Sequence, residues 1–216
     1  MIISRGLALA IGYLFGLFQT GYIYGKCKGI DIRKEGSGNA GTTNSLRVLG
    51  VKAGLITYAG DLLKTVFAVV LIHFLFANRY PDYVKVLELY AGFGVVLGHN
   101  FPFYLGFQGG KGIACTSGVI LAVCPPTVPV SLLIFIGTVI VTRYVSLGSI
   151  LVVTAFLIQV IIMGQTGFYL KLEGNTLLEF YIVTGCFVAM AVWRHRENIR
   201  RLWKGTENKL SIGRKE

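Results

Sequence analysis

The sequence predicts an all-α membrane protein with seven transmembrane helices, and its composition and the spacing of its apolar runs support this. Hydrophobic residues make up 54% of the 216-residue chain and charged residues only 14%, and the mean hydropathy is +0.65. A soluble core of this size cannot hide so much apolar surface. A bilayer core about 30 Å thick is crossed by a helix of roughly 20 apolar residues. The candidate runs are 7–24, 53–77, 84–97, 113–124, 127–142, 144–163 and 177–193.

The first run and the two runs beside Pro125-Pro126 need separate justification. Run 7–24 is not followed by a small-residue cleavage motif, so we expect it to be retained and not removed as a signal peptide. The runs 113–124 and 127–142 are short, so they form either two short transmembrane helices or a re-entrant hairpin. Both arrangements return the chain to the side that it left. No internal repeat or inverted pair of broken helices is evident, and we expect one domain over residues 1–216.

The distribution of basic residues predicts the orientation of these helices. When the loops are assigned alternately to the two sides, 16 of the 21 Lys and Arg residues fall on one side and four on the other, with Lys64 inside a run. The positive-inside rule places the rich side in the cytoplasm, with the N-terminus outside and the C-terminus cytoplasmic. The residues on the rich side are Lys26, Lys28, Arg33, Lys34, Arg47, Lys52, Lys111, Arg143, Arg194, Arg196, Arg200, Arg201, Lys204, Lys209, Arg214 and Lys215; those on the other side are Arg5, Arg79, Lys85 and Lys171.

The net charge of +11 therefore reflects topology and attraction to the anionic headgroups of the lipid bilayer. The basic tail shows no RNP-like aromatic pattern and no helix-turn-helix pattern, so no nucleic acid is expected as a partner. The four cysteines are dispersed without C-x-x-C spacing. This favours buried free thiols over metal ligands or disulfides. Protein partners are left open by the sequence.

The first of four polar clusters, residues 36–47, predicts an anion-binding loop. Its glycines spell G-x-G-x-x-G, but a dinucleotide site needs a strand before that motif, and here a membrane helix and a charged DIRKE stretch precede it. Glycines allow backbone N–H groups to fold around an anion, and Arg47 supplies a planar fork that matches phosphate oxygens. A solvated connector is the alternative. The polar residues between the glycines and Arg47 are Ser37, Asn39, Thr42, Thr43 and Asn44.

The second cluster, residues 98–112, ends in Gly109-Gly110-Lys111-Gly112, directly before an apolar run. A helix N-terminus presents unpaired N–H groups and a partial positive charge, so a glycine-rich start with one lysine predicts a phosphate site. The segment is not a nucleotide-binding Walker A motif. Leu105 stands where the first glycine would be, and Gly112 replaces the Ser/Thr ligand of Mg²⁺.

The third and fourth clusters, residues 143–149 and 194–207, place polar side chains at predicted helix ends. Arg143 and Ser146 stand at the turn into run 144–163, where an arginine is usually a headgroup anchor. His195, Asn198 and Arg201 have helical i, i+3, i+6 spacing on approximately one face, with Glu207 beyond them. An ordinary basic juxtamembrane helix is the alternative.

Two further polar features, the Asp61–Lys64 pair and His99, have two interpretations each. Asp61 and Lys64 lie at i, i+3 inside run 53–77 and form either a self-neutralising pair that supports the loop above or a functional site. His99, beside Asn100, either assists the phosphate site or packs structurally against Phe101 and Tyr104.

These four ordered segments resemble the hallmark segments of the bacterial acyl-phosphate:glycerol-3-phosphate acyltransferases. The segments are GSGNAGTTNSLR, GHNFPFYLGFQGGKG, RYVSLGSI and RHRENIRRLWKGTE, and the resemblance spans essentially the whole chain. It implies a seven-helix bundle in the inner membrane, with its active site at the cytoplasmic side. It also implies transfer of an acyl group to the 1-hydroxyl of glycerol-3-phosphate, giving lysophosphatidic acid at the start of phospholipid synthesis, with no cofactor and no metal.

The resemblance also implies roles for individual residues. The chain departs from the family pattern at Thr42, Thr65, Gln108 and Gly148, where the family usually has alanine, glycine, lysine and alanine. The expected catalytic residues are Ser37, Arg47, His195 and Asn198. The expected substrate-binding residues are Gly38, Asn39, Thr43, Asn44, Gly109, Gly110, Lys111, Gly112, Arg143, Ser146 and Glu207.

The chemistry of this reaction suits the residues present. An acyl phosphate is an activated mixed anhydride, so the protein has mainly to hold two anions together and to orient one hydroxyl. The H-x-x-x-x-D signature of soluble acyltransferases is missing after all three histidines. The proton therefore goes either to His195 or to a phosphate oxygen of the donor. From the residues alone, another lipid-phosphate transferase and an organic-anion transporter remain as alternatives.

Overall fold

The computed structural model describes residues 1–210, and all regular structure in that range is helical. Arg214 and Lys215, two of the basic residues that predict the orientation, lie outside the described residues. Short 3-10 turns at Ile32–Lys34, Phe103–Leu105 and Pro125–Thr127 interrupt the α-helices. The α-helices are α1 (Ile2–Gly16), α2 (Thr20–Cys27), α3 (Thr42–Leu49), α4 (Val51–Phe76), α5 (Val84–Asn100), α6 (Ile113–Val123), α7 (Val128–Thr142), α8 (Val145–Thr166), α9 (Gly174–Arg194) and α10 (Arg196–Trp203).

Five helical segments are long and apolar enough to cross a bilayer. They are Ile2–Cys27, Val51–Phe76, Pro125–Thr142, Val145–Thr166 and Gly174–Arg194. Of the two runs beside Pro125-Pro126, only the first is short: α6 has 11 residues, whereas the Pro125–Thr142 segment has 18. The two prolines begin this segment because proline fits the first turn of a helix, where its missing N–H is not needed.

Helices α1 and α5 pack with their backbones in contact. Gly12 and Gly16 are spaced i, i+4 on α1, and Gly94 and Gly98 have the same spacing on α5. A Cβ on Gly12 would meet the backbone of Ala91, and a Cβ on Gly94 would meet the backbone of α1. Small residues at this spacing allow such close approach. The result is that α5 lies inside the bundle, with most of its residues buried.

The first helical segment is broken between α1 and α2, and side chains satisfy the carbonyls that the break exposes. Lys64 donates from Nζ to the carbonyl of Phe18 at 2.6 Å. The buried amide of Gln19 donates to the carbonyls of Gly16 and His99, both at 3.1 Å. Carbonyls at a helix break are costly to bury without such partners. The break therefore ties α1 to α4 and α5.

Contacts between helix ends define two ends of the bundle. At one, which we call the site end, Lys111 before α6 contacts Asn198 of α10, and Ser146 of α8 contacts Glu207 after α10. At the opposite end, Arg5 of α1 donates two hydrogen bonds to Glu179 of α9, at 2.6 and 2.7 Å. The second, third and fourth predicted polar clusters are thus joined at the site end by direct contacts.

Candidate active site

The carboxylate of Glu207 is the centre of the site. It accepts hydrogen bonds from Asn198 Nδ2 at 2.6 Å, Ser146 Oγ at 2.9 Å and Arg201 Nε at 2.7 Å. Burial by itself raises the pKa of Glu207, but these hydrogen bonds outweigh it and lower the pKa below its usual value. Glu207 is therefore an anion at neutral pH. It joins α8, α10 and the segment that follows α10.

A reversal of the chain after α10 brings Glu207 back to that helix. Gly205 has a φ of +67°, which favours glycine. The Thr206 N–H donates to the carbonyl of Arg201 at 2.9 Å, and the Gly205 N–H donates to that of Leu202 at 3.1 Å. These two bonds form a Schellman motif. The turn directs Glu207 toward the face of α10 that carries Asn198 and Arg201.

Lys111 lies next to this cluster and donates from Nζ to Asn198 Oδ1. Burial lowers the pKa of the Lys111 ammonium to about 8. The charge of Glu207 opposes that shift, whereas Arg201, Arg194 and Arg47 reinforce it. Several cations thus surround one partly buried ammonium. An anionic ligand would relieve their mutual repulsion.

The glycine segment before α6 is held from both sides. Arg194 Nη2 donates to the carbonyls of Gly109 at 3.2 Å and Gly110 at 2.7 Å. The N–H groups of Gly109 and Gly110 donate to the carbonyls of Asn100 and His99, at 3.2 and 3.0 Å. The two glycine amides predicted to hold phosphate are therefore already used within the protein.

The amides that remain for a ligand begin at Lys111. The N–H groups of Lys111 and Gly112 donate to none of the described residues, and the first-turn amides of α6 follow them. Gly112 has a φ of +79°, a conformation that favours glycine. Together with the Lys111 ammonium, these N–H groups form a candidate anion site at the N-terminus of α6.

A buried polar cluster of Asp61, Lys64 and His99 packs against the glycine segment. Lys64 Nζ lies 2.8 Å from Asp61 Oδ1 and 3.0 Å from His99 Nδ1. The predicted Asp61–Lys64 ion pair is thus confirmed. A Cβ on Gly110 would overlap with His99 Nε2, so His99 packs against Gly110. Asp61, His99 and Cys115 have the spacing of metal ligands, but the Lys64 ammonium lies between Asp61 and His99.

The first loop is closed by its own asparagines. Asn44 Oδ1 accepts from the Ser37 N–H at 2.8 Å, and Asn44 Nδ2 donates to the carbonyls of Ile32 and Glu35, both at 3.0 Å. Asn39 Oδ1 accepts from the Gly41 N–H at 3.0 Å. Gly36 and Gly38 have φ values of +58° and +70°, which the tight turns require. The structure thus gives Asn39 and Asn44 loop-closing contacts.

The other predicted residues of this loop face outward. Ser37, Gly38 and Arg47 are exposed, and Thr43 is half-buried. Arg33 links the loop to the second cluster by donating from Nη1 to the carbonyl of Leu105 at 3.3 Å. Arg47 pairs with no carboxylate in residues 1–210. Its guanidinium nevertheless lies close enough to lower the pKa of Lys111.

His195 lies in the single-residue connection between α9 and α10. Its Nδ1 is 2.8 Å from the carbonyl of Ala191. Because a carbonyl only accepts, Nδ1 carries the proton and Nε2 has the lone pair. Burial, and secondly the charge of Lys111, lower the pKa of His195 to about 4. His195 is therefore a neutral hydrogen-bond acceptor at neutral pH.

Arg143 has a different position from the other predicted ligands. It has a φ of +63° and donates from Nη2 to the carbonyl of Leu210 at 2.9 Å. The Leu210 N–H donates in turn to the Arg143 carbonyl at 2.7 Å. These contacts hold the segment after Glu207.

Two arginines outside the predicted site residues belong to the site. Arg194 holds the glycine segment, and Arg201 holds Glu207. The helical spacing of Arg201 with His195 and Asn198 is a signal for it in the sequence. Arg194 carries no such signal, because its bonds go to backbone carbonyls about 85 positions away.

Fold and site together define a helical membrane protein with a candidate anion site at one end of its bundle. The chain belongs to the glycerol-3-phosphate acyltransferase family, since the sequence profile of that name matches residues 6–205. The resemblance of the four segments is thereby confirmed. The family assignment replaces the two alternatives that the residues alone left open.

Relatives and solved structures agree with this assignment. The chain is 42% identical to the glycerol-3-phosphate acyltransferase of Chlorobium phaeobacteroides, over 95% of this chain and 96% of that protein. It is 45% identical to that of Alkaliphilus metalliredigens, over 97% and 96%. The crystal structure of PlsY, an integral membrane glycerol 3-phosphate acyltransferase, in its glycerol 3-phosphate form has a TM-score of 0.81 and 33% identity, over 96% of each chain. The lysophosphatidic acid form of PlsY also has a TM-score of 0.81, with 32% identity over 97% of this chain and 96% of that one. The chain is thus a multi-pass membrane protein.

Proposed function

We propose that this protein transfers the acyl group of an acyl phosphate to the 1-hydroxyl of glycerol-3-phosphate and so forms lysophosphatidic acid and phosphate. Family membership supports the acceptor and the transfer, and the glycerol 3-phosphate and lysophosphatidic acid forms of PlsY support the acceptor and the product. The observation that carries the proposal is the anion site at Lys111 beside the neutral His195.

The reaction is one acyl transfer between two oxygens. The 1-hydroxyl oxygen attacks the carbonyl carbon of the mixed anhydride, and the bond from that carbon to the phosphate oxygen breaks. The phosphate leaves with the electron pair, and the hydroxyl proton passes to one of its oxygens. Holding both reactants in line supplies about 7–11 kcal/mol in well-aligned cases. Cations and N–H groups that face the departing phosphate lower the barrier further.

The expected residue roles follow from position and charge. Lys111 and the amides from Lys111 to the start of α6 hold the phosphate of one substrate, while Asn198 and Ser146 position this end through Glu207. Arg47 and the exposed loop of Ser37 and Gly38 hold the other phosphate. Among the remaining expected ligands, Asn39, Thr43 and Asn44 shape that loop, Gly109, Gly110 and Gly112 shape the α6 site, and Arg143 fixes the segment after Glu207.

His195 orients glycerol-3-phosphate through its 2-hydroxyl, and the donor phosphate takes the proton of the 1-hydroxyl. With a pKa of about 4, His195 is a weak base, whereas the phosphate becomes more basic as it leaves the acyl group, and the second ionisation of an unactivated phosphate has a pKa of about 6. The phosphate is thus the stronger base at neutral pH. Nε2 of His195, left as an acceptor by the bond from Nδ1 to Ala191, receives a hydrogen bond from the 2-hydroxyl of glycerol-3-phosphate. The proton of the 1-hydroxyl is then free to move to the donor phosphate.

Replacement of His195 by glutamine tests this division of roles. The amide of glutamine still accepts a hydrogen bond, so we expect kcat to stay within about tenfold of the wild type, whereas loss of a general base costs about 10²–10⁴-fold. Single-turnover rates between about pH 3 and 8 would be measured for both proteins. A loss in the larger range, together with disappearance of a rate decrease below about pH 4, would show that His195 takes the proton.

The number and orientation of the membrane crossings are also part of this proposal. Seven crossings are made if α5 and α6 join the five long segments, with the N-terminus outside and the C-terminus cytoplasmic. The charge asymmetry of the loops supports this orientation. The site end then faces the cytoplasm of a bacterial cell from its inner membrane, where phosphorylated substrates are soluble. One domain over residues 1–216 performs the reaction without cofactor or metal.

The donor is tested with purified full-length protein in bilayer nanodiscs. Labelled glycerol-3-phosphate is supplied with palmitoyl phosphate or palmitoyl-CoA, in the presence of EDTA. We expect lysophosphatidic acid from palmitoyl phosphate at the full rate, with little from palmitoyl-CoA. Equal rates with the two donors would reject the acyl phosphate, and loss of turnover in EDTA would reject the metal-free reaction.

A further inference from the structure

Helix α10 carries a second face that the proposed reaction does not use. Five residues with i, i+3, i+4, i+7, i+8 spacing share this face and line a shallow groove of about 540 Å³. Three are basic and two are apolar. We call this face the basic stripe; its residues are Arg196, Ile199, Arg200, Trp203 and Lys204.

The basic stripe points away from the site. The opposite face of α10 is fixed by the bonds of Asn198 and Arg201 to Glu207. On the stripe, Trp203 is 89% exposed, and Arg200 and Lys204 are exposed as well. Neither of these two cations pairs with a carboxylate within residues 1–210. The stripe therefore presents uncompensated positive charge around a large apolar side chain.

The stripe lies where a bilayer surface would meet it. The apolar helix α9 ends at Arg194, and α10 begins two residues later at Arg196. Trp193, at the end of α9, is 48% exposed, and the Arg196 guanidinium lies 4.9 Å from the centre of its ring. Tryptophan and arginine at the end of a spanning helix are typical of the headgroup level. Helix α10 thus starts at the boundary between bilayer and water.

We propose that the basic stripe binds the headgroups of anionic phospholipids, with Trp203 and Ile199 inserted among the upper acyl chains. Charge complementarity supports this, because three cations on one face attract an anionic membrane surface. The apolar residues between the cations match an interfacial helix, whose charged and apolar groups meet at the same depth. A soluble acidic protein would satisfy the charges but would leave no reason for the indole to lie at the bilayer boundary.

The chain has two tryptophans, so tryptophan fluorescence can report contact between the basic stripe and lipid. In the Trp193→Phe protein, Trp203 is the remaining tryptophan. The protein is placed in nanodiscs of phosphatidylcholine with an equal mole fraction of either brominated phosphatidylglycerol or brominated phosphatidylcholine. Bromine quenches indole at short range, so we expect stronger quenching of Trp203 by the brominated phosphatidylglycerol. Aqueous acrylamide should quench Trp203 less when phosphatidylglycerol is present. If Trp193→Phe does not fold, the difference between wild type and Trp203→Phe isolates the same signal.

Two triple variants of equal charge change test whether the preference for phosphatidylglycerol over phosphatidylcholine comes from the basic stripe. Each cation near the surface contributes about fivefold to lipid association, so R196Q/R200Q/K204Q should lower the preference about tenfold or more. K28Q/K34Q/K52Q removes the same charge from exposed lysines elsewhere at the basic side and should retain the preference.

Three results would overturn the proposal. The first is equal quenching by the two brominated lipids. The second is an unchanged preference in R196Q/R200Q/K204Q. The third is full acrylamide access to Trp203 in every lipid mixture, which would instead indicate a surface for a soluble acidic partner.

Discussion

Replacement of Lys111 by methionine is expected to lower kcat/KM for glycerol-3-phosphate by about 10²–10³-fold, the cost of removing one preorganised charge donor. Methionine retains the apolar stem and removes the ammonium that contacts Asn198. Steady-state rates at varied glycerol-3-phosphate, with palmitoyl phosphate saturating, would measure the effect. A loss smaller than about fivefold would place the phosphate site elsewhere.

The pH dependence of the same residue provides a second measurement. The folded protein lowers the pKa of Lys111 to about 8, so the free enzyme carries this charge below that pH and loses it as the pH rises above it. We therefore expect kcat/KM to fall above about pH 8, because kcat/KM reports groups of the free enzyme. The matched variant Lys111→Arg should shift this decrease to higher pH, since a guanidinium stays protonated. A decrease at the same pH in Lys111→Arg would assign it to another group.

Replacement of Arg47 by lysine should remove most of the activity, about 10²-fold in kcat/KM, although the charge is unchanged. A guanidinium donates two parallel hydrogen bonds to a phosphate, and an ammonium cannot reproduce that geometry. Arg47 is exposed at the loop of Ser37 and lies within the electrostatic range of Lys111. Its guanidinium is therefore available to a second anion beside the first.

The control for Arg47→Lys is Arg79→Lys, an equally conservative change at an exposed arginine. Arg79 follows α4 and has no place in the site, so this variant should retain wild-type kinetics. Membrane insertion of both variants is checked by extraction and size-exclusion chromatography. Wild-type activity of Arg47→Lys would reject the bidentate contact of the first loop.

Several features of this protein were predictable because they depend on local sequence. The length and polarity of an apolar run decide whether a helix suits a bilayer, so the five long segments match predicted runs closely. Asp61 and Lys64 are three residues apart on one helix, and their ion pair follows from that spacing. The four ordered polar segments likewise pointed to the family, and the family profile matches residues 6–205.

Only the tertiary structure decided how the polar clusters share their hydrogen bonds. Ser146 meets Glu207 across 61 residues, and Arg194 meets Gly110 across 84. Such pairs depend on which helices pack beside one another. The hydrophobic pattern of the sequence does not contain that information. The sequence marks Gly110 as an anion-binding amide, but in the bundle that amide bonds to His99. Glycine content predicts where a backbone is able to approach a ligand, whereas packing selects which of its N–H groups are left to do so.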